Sequence, residues 1–407
     1  MSSWRVLGLL SGTSMDGIDV AAAELSTAGD GVVELRPLGF AEVPYPPALR
    51  ERLQAALPPA AVDAREFCVL DTEVGRAFAA AARHGLAEFG GADLISSLGQ
   101  TLYHWVEDGR ARGTTQLGRA AWIAEATGLP VIADLRARDV AAGGHGAPLA
   151  GVLDALWLAD RPGPVIALNI GGIANITVVG GPEPLAYDTG PGNALLDAAA
   201  ARVTGGAAGS DVDGRLAAAG RVRPELLERL LADGYYRAEP PKSTGKEHFN
   251  AAYLDEVLHG TDLDGADLDG TEPGGPDLLA TLTELTAATV ADACHRHRAR
   301  EVVASGGGVR NPALLAALRR RLGTGVDLHV SDDLGLPAAG KEGYLAALLG
   351  WLTWNGLPGN VPGTTGADGP RLLGSLTPGT GPLRLPEPAA GPVRSLRITH
   401  PTTLEAE

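Results

Sequence analysis

The sequence predicts an α/β protein built from two related lobes. Short apolar runs that end near glycines alternate with alanine-rich stretches of helical spacing, a pattern typical of strands and helices in turn. The 407 residues are too many for one ordinary core and suit two domains of about 200 residues. Two strand–turn–strand segments of similar pattern, Val6–Leu25 and Val165–Gly181, stand near the start of each half. We therefore expect two lobes of related structure.

The individual elements follow from these patterns in chain order. The apolar runs expected to form strands are Val6–Leu10, Ala92–Ser96, Pro130–Ala133, Val165–Ile170, Ile176–Val179 and Glu301–Ser305. The stretches expected to form helices are Glu73–Phe89, Arg119–Thr127, Ala194–Arg202, Leu278–His297 and Pro312–Leu322. Before the last of these helices, Asn311 is expected to act as the N-cap and Pro312 to begin the first turn.

The domain boundaries are predicted from the same elements. Residues 1–134 together with about 355–377 are expected to form the N-terminal lobe, and residues 135–354 the C-terminal lobe. Residues 378–407, rich in proline and glycine, are expected to form an irregular tail. The acidic segment Gly260–Asp277 repeats the tetrapeptide DLDG and reads as a solvated insertion. A calcium loop is its alternative, although the D-x-D-x-D-G spacing is not met.

Composition and charge exclude several functional classes. With 33 basic and 49 acidic residues the chain has a net charge of −16, which repels a phosphate backbone, so we expect no nucleic-acid partner. Cys68 and Cys294 are far apart and support neither a disulfide framework nor a zinc site, which favours the reducing cytoplasm. No run approaches the about 18 apolar residues of a membrane span, so we expect no membrane association.

Two glycine-rich turns are candidate phosphate-binding loops. The turn Ser11–Asp19 is rich in Gly, Ser and Thr, so its backbone N–H groups can converge on an anion. Its Asp16 and Asp19 could hold Mg²⁺ or its water shell beside a polyphosphate. In the second strand–turn–strand segment, Val165–Gly181, Gly171 and Gly172 are expected to form a two-residue reversal with positive φ. Plain hairpin turns are the alternative, and the presence of two such turns favours phosphate binding.

A third glycine-rich turn, Gly306–Gly308, lies between the last predicted strand and the last predicted helix. A strand, a glycine triplet and a helix N-terminus form a surface that a nucleotide can approach closely. A dinucleotide-binding fingerprint fails here because Asn311 stands where its third glycine would be. A Walker A motif fails at Gly335–Glu342, where Glu342 replaces the required Ser or Thr.

Asp188 is the candidate general base. It is expected to follow a short strand and to precede a Gly-Pro-Gly turn that opens a helix, and from a strand end a carboxylate can deprotonate a nucleophile. A helix N-cap is the alternative. Asp134 also ends a predicted strand and is followed by Arg136 and Arg138, which could bind a carboxylate or phosphate of a substrate. A surface ion-pair network is the alternative for these arginines.

The motifs occur in a characteristic order along nearly the whole chain. They are LGLLSGTSMDGIDVA at 7–21, LGQT at 98–101, TQLG at 115–118, ADLRARDVAAGGHGAPL at 133–149, ALNIGGIANIT at 167–177, YDTGPGNALLD at 187–197, KSTGKEHFN at 242–250, SGGGVRNPALL at 305–315, KEG at 341–343 and TGADGPRLLG at 365–374. This set resembles the anhydro-N-acetylmuramic acid kinases of the sugar kinase/Hsp70/actin superfamily. SGTSMDGID and KSTGKE are its most specific parts.

The resemblance implies two ribonuclease H-like lobes of the actin/Hsp70/sugar-kinase type with a central ATP cleft. It implies an ATP-dependent kinase that hydrolyses the 1,6-anhydro ring of anhydro-N-acetylmuramic acid and phosphorylates the 6-oxygen, in peptidoglycan recycling. ATP and Mg²⁺ are the implied cofactors, and a homodimer is the implied assembly. Two alternatives stay open: a kinase of a different 1,6-anhydro sugar, and a non-catalytic regulator that binds ATP and sugar.

The resemblance also assigns residues. Asp188 matches the catalytic base, and Asp16 or Asp19 would hold the metal through water. The implied ATP-binding residues are Gly12, Thr13, Ser14, Met15, Asp16, Gly17, Ile18, Asp19, Gly171, Gly172, Asn175, Gly306, Gly307, Gly308 and Asn311. The implied sugar-binding residues are Gln100, Thr101, Arg136, Arg138 and Glu342.

Three positions depart from the family pattern. Leu98 stands where the family has a histidine, Arg119 follows TQLG where the family favours Asp or Asn, and His145 replaces a usual glutamine. All three belong to segments that would line the sugar side. The kinase chemistry is therefore expected to be intact, while the departures leave open which anhydro sugar is bound.

Overall fold

The computed structural model describes residues 3–261, 274–389 and 391–399. The chain divides into two compact units, the first formed by residues up to 160 and from 335 onward, the second by residues 161–334. The DLDG repeats of the predicted acidic insertion, and with them the alternative of a calcium loop, lie outside the described residues.

The described part of the chain forms thirteen strands. They are β1 (Trp4–Ser11), β2 (Gly17–Gly29), β3 (Val32–Pro44), β4 (Leu94–Glu107), β5 (Arg110–Leu117), β6 (Val131–Ala133), β7 (Val165–Ile170), β8 (Ile173–Val179), β9 (Leu185–Pro191), β10 (Glu301–Ser305), β11 (Asp327–Val330), β12 (Ser375–Thr377) and β13 (Ser395–Ile398). The six predicted strands are confirmed.

The helices follow the predicted order as well. They are α1 (Pro47–Ala55), α2 (Ala64–Phe89), α3 (Ala120–Thr127), α4 (Ala137–Ala141), α5 (Ala150–Trp157), α6 (Ala194–Val203), α7 (Arg215–Ala219), α8 (Pro224–Leu231), α9 (Gly234–Arg237), α10 (Ala251–Leu258), α11 (Gly274–Arg296), α12 (Pro312–Leu322), α13 (Lys341–Trp354) and α14 (Pro362–Thr365). The five predicted helices are confirmed. Within the described residues, no helix combines the length and the apolar character needed to cross a membrane.

The two units share one sheet topology. In the first unit the strand order is β12-β6-β4-β1-β2-β3-β13, with β5 paired to β4. Strands β1, β2 and β3 are antiparallel, whereas β4 runs parallel to β1 and β6 parallel to β4. In the second unit the order is β11-β10-β7-β8-β9, with β7 to β9 antiparallel and β10 and β11 parallel to β7.

This repeated arrangement is the ribonuclease H-like one: three antiparallel strands, with two further parallel strands beside the first. The prediction of an α/β protein with two related lobes is thereby confirmed. In the first unit α2 and α3 contribute to the core beside the sheet, with Leu7, Val20 and Phe78 fully buried. In the second unit α11 and α12 pack on the sheet, and α6, α8 and α10 form a further apolar cluster with α11.

The unit boundaries differ from the expected ones at 134/135 and 354/355. Residues 135–160 and 335–354, expected in the C-terminal lobe, belong to the first unit. The reason is packing: α13 lies against β1, β2 and β4. A β-carbon on Gly8 of β1 would fall 2.0 Å from the carbonyl oxygen of Gly343 in α13. The buried ion pair between Lys341 Nζ and Asp154 Oδ1, at 2.6 Å, further joins α13 to α5.

The expected tail is also more ordered than predicted. Residues 378–394 contain no helix or strand among those described, but β13 then pairs parallel with β3. Leu396 of this strand is buried. A four-residue strand with two apolar side chains gives little periodicity, and only its partner strand reveals it.

Candidate active site

Glycine-rich turns meet at one edge of the sheet in the second unit. Strands β7, β9 and β10 run in the same direction, so their carboxyl ends lie at the same edge. They are followed by Gly171–Gly172, Gly192 and Gly306–Gly308. The amide of Gly192 donates to the carbonyl of Gly172 at 2.9 Å, and that of Asn193 to the carbonyl of Gly171 at 2.8 Å. The turn after β9 therefore holds the β7–β8 hairpin in place.

The β7–β8 hairpin presents unused donors. Within the described residues the amides of Gly171 and Gly172 donate no hydrogen bond, so both are available to an anion. The expectation of positive φ at these glycines is wrong, because neither has it. Ile170 pairs with Ala174, so the reversal is spread over three residues instead of two. This candidate phosphate-binding turn is therefore wider than the sequence predicts.

Packing explains two of the three glycines after β10. A β-carbon on Gly306, where φ is 83°, would fall 2.8 Å from the carbonyl oxygen of Ile170. One on Gly308 would fall 2.3 Å from Ile170 Cγ2, whereas one on Gly307 would meet its nearest atom at 3.7 Å. Gly307 is thus the member of the triplet with open space beside it. Asn311 is buried and caps α12, as predicted, by accepting a hydrogen bond from the Leu314 amide at 3.1 Å.

Asp188 was expected after a strand, but it lies within β9, opposite Asn175 of β8. Its Oδ2 accepts hydrogen bonds from Ser243 Oγ and from the amide of Thr244, both at 2.9 Å. Its Oδ1 accepts none from the described residues and is available to a water molecule. The alternative of a helix N-cap fails, because α6 begins six residues further along the chain. The carboxyl group is therefore held by one oxygen and open at the other.

Burial raises the pKa of Asp188, and the hydrogen bonds from Thr244 and Ser243 oppose that rise. A carboxylate with a raised pKa is a stronger base, which suits a group that must accept a proton at neutral pH. The two hydrogen bonds keep the ionised form accessible. Desolvation and hydrogen bonding thus act in opposite directions on the same carboxyl group.

A closed ring of hydrogen bonds fixes this arrangement. Thr244 Oγ1 lies 3.4 Å from His248 Nδ1, and His248 Nε2 lies 3.1 Å from Asp233 Oδ2. Asp233 Oδ1 accepts from the amide of Tyr235 at 2.8 Å and so caps α9. The Tyr235 hydroxyl closes the ring by donating to the carbonyl of Asp188 at 2.7 Å. No role for Asp233, Tyr235 or His248 was predicted, although KSTGKEHFN contains His248.

In the first unit, the turn between β1 and β2 is closed by its own polar groups. Ser11 Oγ donates to the carbonyl of Gly17 at 2.7 Å, and the amide of Met15 donates to the carbonyl of Gly12 at 3.2 Å. Gln100 Nε2 also donates to that carbonyl at 3.2 Å, and Gln100 is fully buried. Here Gln100 supports the turn, whereas the resemblance implies that it contacts the sugar.

The tip of this turn offers an anion site like that of the second unit. The amides of Gly12, Thr13 and Ser14 donate no hydrogen bond within the described residues. Thr13 and Ser14 are exposed, and a β-carbon on Gly12 would meet no atom within 4 Å. Met15 and Ile18 are buried beneath the tip and anchor it to the core. Three successive open amides are the kind of donor set that holds a phosphate.

The two candidate metal ligands differ in environment. Asp16 is exposed and forms an ion pair with Arg50. Asp19 lies opposite Glu42 in the sheet, and burial together with the charges of Glu342 and Glu42 raises its pKa to about 7. Among the residues that the structure describes, no three His, Cys, Asp or Glu side chains are grouped to hold a metal ion. The protein by itself offers carboxylates, and most of a magnesium shell would come from water and phosphate.

The predicted sugar-binding residues are only partly brought together. Arg136 is half-buried and its Nη1 donates to the carbonyl of Gly146 at 2.8 Å, while its buried Nε has no partner among the described residues. Burial lowers the pKa of Arg136, and the charge of Glu342, followed by that of Asp139, opposes this. Arg138 is exposed. Neither Arg136 nor Arg138 forms an ion pair among the described residues, so the alternative of a surface ion-pair network fails for these arginines.

Two histidines stand beside this arginine. Burial lowers the pKa of His104, and the charges of Arg136 and His145 add to that effect. The backbone of His145 is held by its amide, which donates to the carbonyl of Thr365 at 2.8 Å. The predicted sugar contact Thr101 accepts a hydrogen bond from Gln116 Nε2 at 3.2 Å. This part of the first unit is thus rich in groups that can carry positive charge.

The other two departures from the family pattern have structural partners. Leu98 is buried in β4, so the position of the missing histidine is filled by an apolar side chain. Arg119 forms an ion pair with the buried Asp71, which also accepts from the amide of Gly118 at 3.0 Å. Both residues therefore stabilise the first unit.

Comparison with known proteins bears on the assignment. A sequence model of the anhydro-N-acetylmuramic acid kinases matches residues 4–379. The chain belongs to this family. The anhydro-N-acetylmuramic acid kinase of Streptomyces coelicolor is 56% identical over 97% of this chain and 99% of its own. That of Rhodococcus erythropolis is 49% identical over 92% of this chain and 94% of its own.

A ROK family glucokinase from Streptomyces griseus, solved with glucose and AMPPNP, is 15% identical with a TM-score of 0.37, over 85% of this chain and 99% of that one. This distant likeness adds nothing to the family assignment. The resemblance described from the motifs is confirmed by the family match.

Proposed function

We propose that this protein is an ATP-dependent kinase that hydrolyses the 1,6-anhydro ring of anhydro-N-acetylmuramic acid and phosphorylates its 6-oxygen. The observation that carries the proposal is the arrangement around Asp188. A carboxyl group with a raised pKa, held at one oxygen and open at the other, lies in β9 beside a hairpin with two unused amide donors. The names of the 49–56% identical relatives support the same reaction.

The chemistry begins with Asp188. Water is a weak nucleophile at neutral pH, so Asp188 accepts one of its protons as the water oxygen attacks the anomeric carbon of the sugar. The bond between this carbon and the bridging 6-oxygen breaks, and its electron pair stays on that oxygen. The 6-oxygen then forms a bond to the terminal phosphorus of ATP, and ADP leaves. Loss of this general base is expected to reduce turnover by about 10²–10⁴-fold.

In this proposal the open backbone amides bind the phosphates of ATP. Gly171 and Gly172 supply these amides in the second unit, and Gly12, Thr13 and Ser14 supply them in the first. N–H groups fixed by their hairpins lose little freedom when they bind an anion, which makes them effective donors to a transferring phosphoryl group. Mg²⁺ supplies charge neutralisation when bound, and Asp16 or Asp19 would hold it through water.

Arg136 supports a substrate that carries a carboxylate. Its half-buried guanidinium keeps a buried Nε without a partner among the described residues, and a buried unpaired donor is costly unless a ligand satisfies it. The lactyl group of a muramic acid carries a carboxylate that could accept a hydrogen bond from this Nε. This favours anhydro-N-acetylmuramic acid over an unsubstituted 1,6-anhydrohexose.

The setting of the enzyme is part of the proposal. We place it in the cytoplasm, in the recycling of peptidoglycan fragments, and as a homodimer, as the family resemblance implies. Light scattering of the purified protein tests the homodimer, since it gives the mass in solution against the 41.6 kDa of one chain.

The decisive experiment is a substrate comparison. The purified protein receives Mg-ATP with anhydro-N-acetylmuramic acid or with an unsubstituted 1,6-anhydrohexose, and ADP release and the 6-phosphosugar are measured. Phosphorylation of the muramic sugar is the expected result. Turnover of the anhydrohexose alone would favour the kinase of a different sugar. Binding of ATP and sugar with no product would instead favour a non-catalytic regulator.

A further inference from the structure

Lys246 lies directly beside the β7–β8 hairpin of the second unit. A β-carbon on Gly172 would fall 2.8 Å from Lys246 Cε and 3.7 Å from its Nζ. The lysine side chain thus covers the glycine whose amide is open to an anion. Lys246 is exposed, and it forms no ion pair with any described residue. Its charge is therefore available to a ligand at the hairpin.

The chain contains only three lysines, and the other two differ from Lys246 in having structural partners. Lys341 is buried in its ion pair with Asp154. Lys242 donates to the carbonyl of Tyr235 at 2.9 Å, and its ammonium lies 4.5 Å from the centre of the Tyr235 ring. Both of these have structural partners, whereas the Lys246 ammonium has none among the described residues.

The segment that carries Lys246 also carries the donors to the general base. Ser243 and Thr244 both hold Asp188 Oδ2 at 2.9 Å and precede Lys246 by only two or three residues. One short segment therefore contacts the base at one end and the hairpin at the other. A phosphate bound at this side of the hairpin would be the one nearest to the reacting oxygen.

The carboxyl group of Asp197, in α6, lies close enough to Lys246 to interact with its charge. Burial raises the pKa of Asp197 to about 6, and the charge of Lys246 opposes this rise. The amide of Asp197 donates to the carbonyl of Asn193, the residue whose own amide holds Gly171. Lys246 therefore lies near both the hairpin, through Gly172, and α6, through Asp197.

We propose that Lys246 binds the terminal phosphate of ATP at the β7–β8 hairpin and balances its charge during transfer. The proposal rests on the proposed function. A lysine ammonium is a compact charge with three donors, which suits a phosphate that changes position as it is transferred. Because Lys246 shares its segment with Ser243 and Thr244, phosphate binding also fixes the segment that orients Asp188.

The first test measures nucleotide binding by calorimetry in Lys246→Gln and Lys246→Arg. Lys246→Gln is expected to weaken binding of Mg-ATP by about 10- to 100-fold, the range for a hydrogen bond to a charged group. Binding of ADP, which lacks only the terminal phosphate, is expected to stay within about twofold, and this also shows that the variant is folded. Lys246→Arg should recover most of the affinity, because it keeps the charge.

Arg319→Gln is the matched control. Arg319 is an exposed basic residue in the last turn of α12 in the same unit, and α12 begins rather than ends at the edge that carries the glycine turns. Its loss changes the net charge by the same amount as the loss of Lys246. Unchanged Mg-ATP binding in this variant shows that a general charge effect does not explain the result.

The second test uses the small number of lysines. An amine-reactive acylating reagent is expected to label Lys246 fastest, and Mg-ATP, but not AMP, should protect it, as read from peptide mass spectrometry. Lys242 and Lys341 serve as internal references in the same digest. Gly172→Ala, whose new methyl group would displace the lysine, should weaken Mg-ATP binding in the same direction.

The outcomes separate this inference from the proposed function. Suppose that the unaltered protein phosphorylates the sugar and that Lys246→Gln binds Mg-ATP as tightly as the unaltered protein. The assignment of Lys246 is then overturned, while the proposed function stands. Absence of protection by Mg-ATP in a protein that binds it would have the same meaning. If the unaltered protein binds no Mg-ATP at all, both the assignment and the proposed function fall.

Discussion

Replacing Asp19 by asparagine is expected to stabilise the first unit at neutral and alkaline pH. Asp19 sits in β2 opposite Glu42, and burial with the charges of Glu342 and Glu42 raises its pKa from 3.8 to about 7. Between these pH values the folded chain keeps a proton that the unfolded chain has lost. The free energy of unfolding therefore falls as the pH rises from about 4 to about 7, and it remains low above that.

The size of the effect follows from this interval. At about 1.4 kcal/mol per pH unit, the difference between the two pKa values corresponds to about 4 kcal/mol. Partial access to solvent reduces this to about 2–4 kcal/mol. Asparagine cannot ionise, so Asp19→Asn should escape this loss. The variant and the unaltered protein should be equally stable near pH 4 and should differ by about 2–4 kcal/mol at pH 8.

The tryptophans make this assay specific to the first unit. All six belong to that unit, so their fluorescence reports its unfolding and not that of the second unit: Trp4, Trp105, Trp122, Trp157, Trp351 and Trp354. Urea unfolding is followed from pH 4 to pH 8 for both proteins. Glu42→Gln serves as a control and should remove part of the pH dependence, because it removes one like charge. A stability difference between Asp19→Asn and the unaltered protein that does not change with pH would refute the reasoning.

Three further predictions concern the second unit. Asp188→Asn is expected to keep ATP binding and lose about 10²–10⁴-fold in the rate of ADP release, and near-normal turnover would remove Asp188 from its role. His248→Ala is expected to loosen the segment that holds Asp188, lowering kcat by about 10-fold, and to weaken Mg-ATP binding to a smaller extent because Lys246 lies in the same segment. Unchanged kcat in this variant would contradict a positioning role for His248. Gly308→Ala, whose methyl group would meet Ile170 Cγ2 at 2.3 Å, should destabilise the unit by about 1–3 kcal/mol in thermal unfolding followed by circular dichroism. Gly307→Ala has open space and serves as its control, so equal losses in both variants would contradict the packing argument.

The local features of the fold could be predicted from the sequence. The strand Val165–Ile170 and the helix Pro312–Leu322 have the predicted bounds, because an apolar run ending in glycine and an Asn-Pro cap act through neighbouring residues. The role of Asp188 was also inferred from a local pattern and stays a prediction, although the structure places this residue within β9 and not after a strand. Features of this kind depend on a few adjacent side chains.

The features that the sequence did not reveal depend on contacts between residues far apart in the chain. Assignment of α13 to the first unit requires the contact of Gly343 with Gly8, which no local pattern contains. The sugar contact expected of Gln100 stays a prediction, and the hydrogen bond from its buried amide to the carbonyl of Gly12 is a contact that no local pattern contains. The ring through Asp233 and His248 joins segments whose spacing carries no known signature. Such roles become visible only after the chain has folded.

The contact between β1 and α13 has a consequence for synthesis. Strand β1 is synthesised more than three hundred residues before α13, the helix that packs against it, while the second unit is one continuous stretch, 161–334. Domains generally fold as units during translation, so the inserted unit can mature while the N-terminal segment still lacks its covering helix. During that delay the apolar face of β1 and β2 is open to chaperones, and truncation before α13 should leave an aggregation-prone chain.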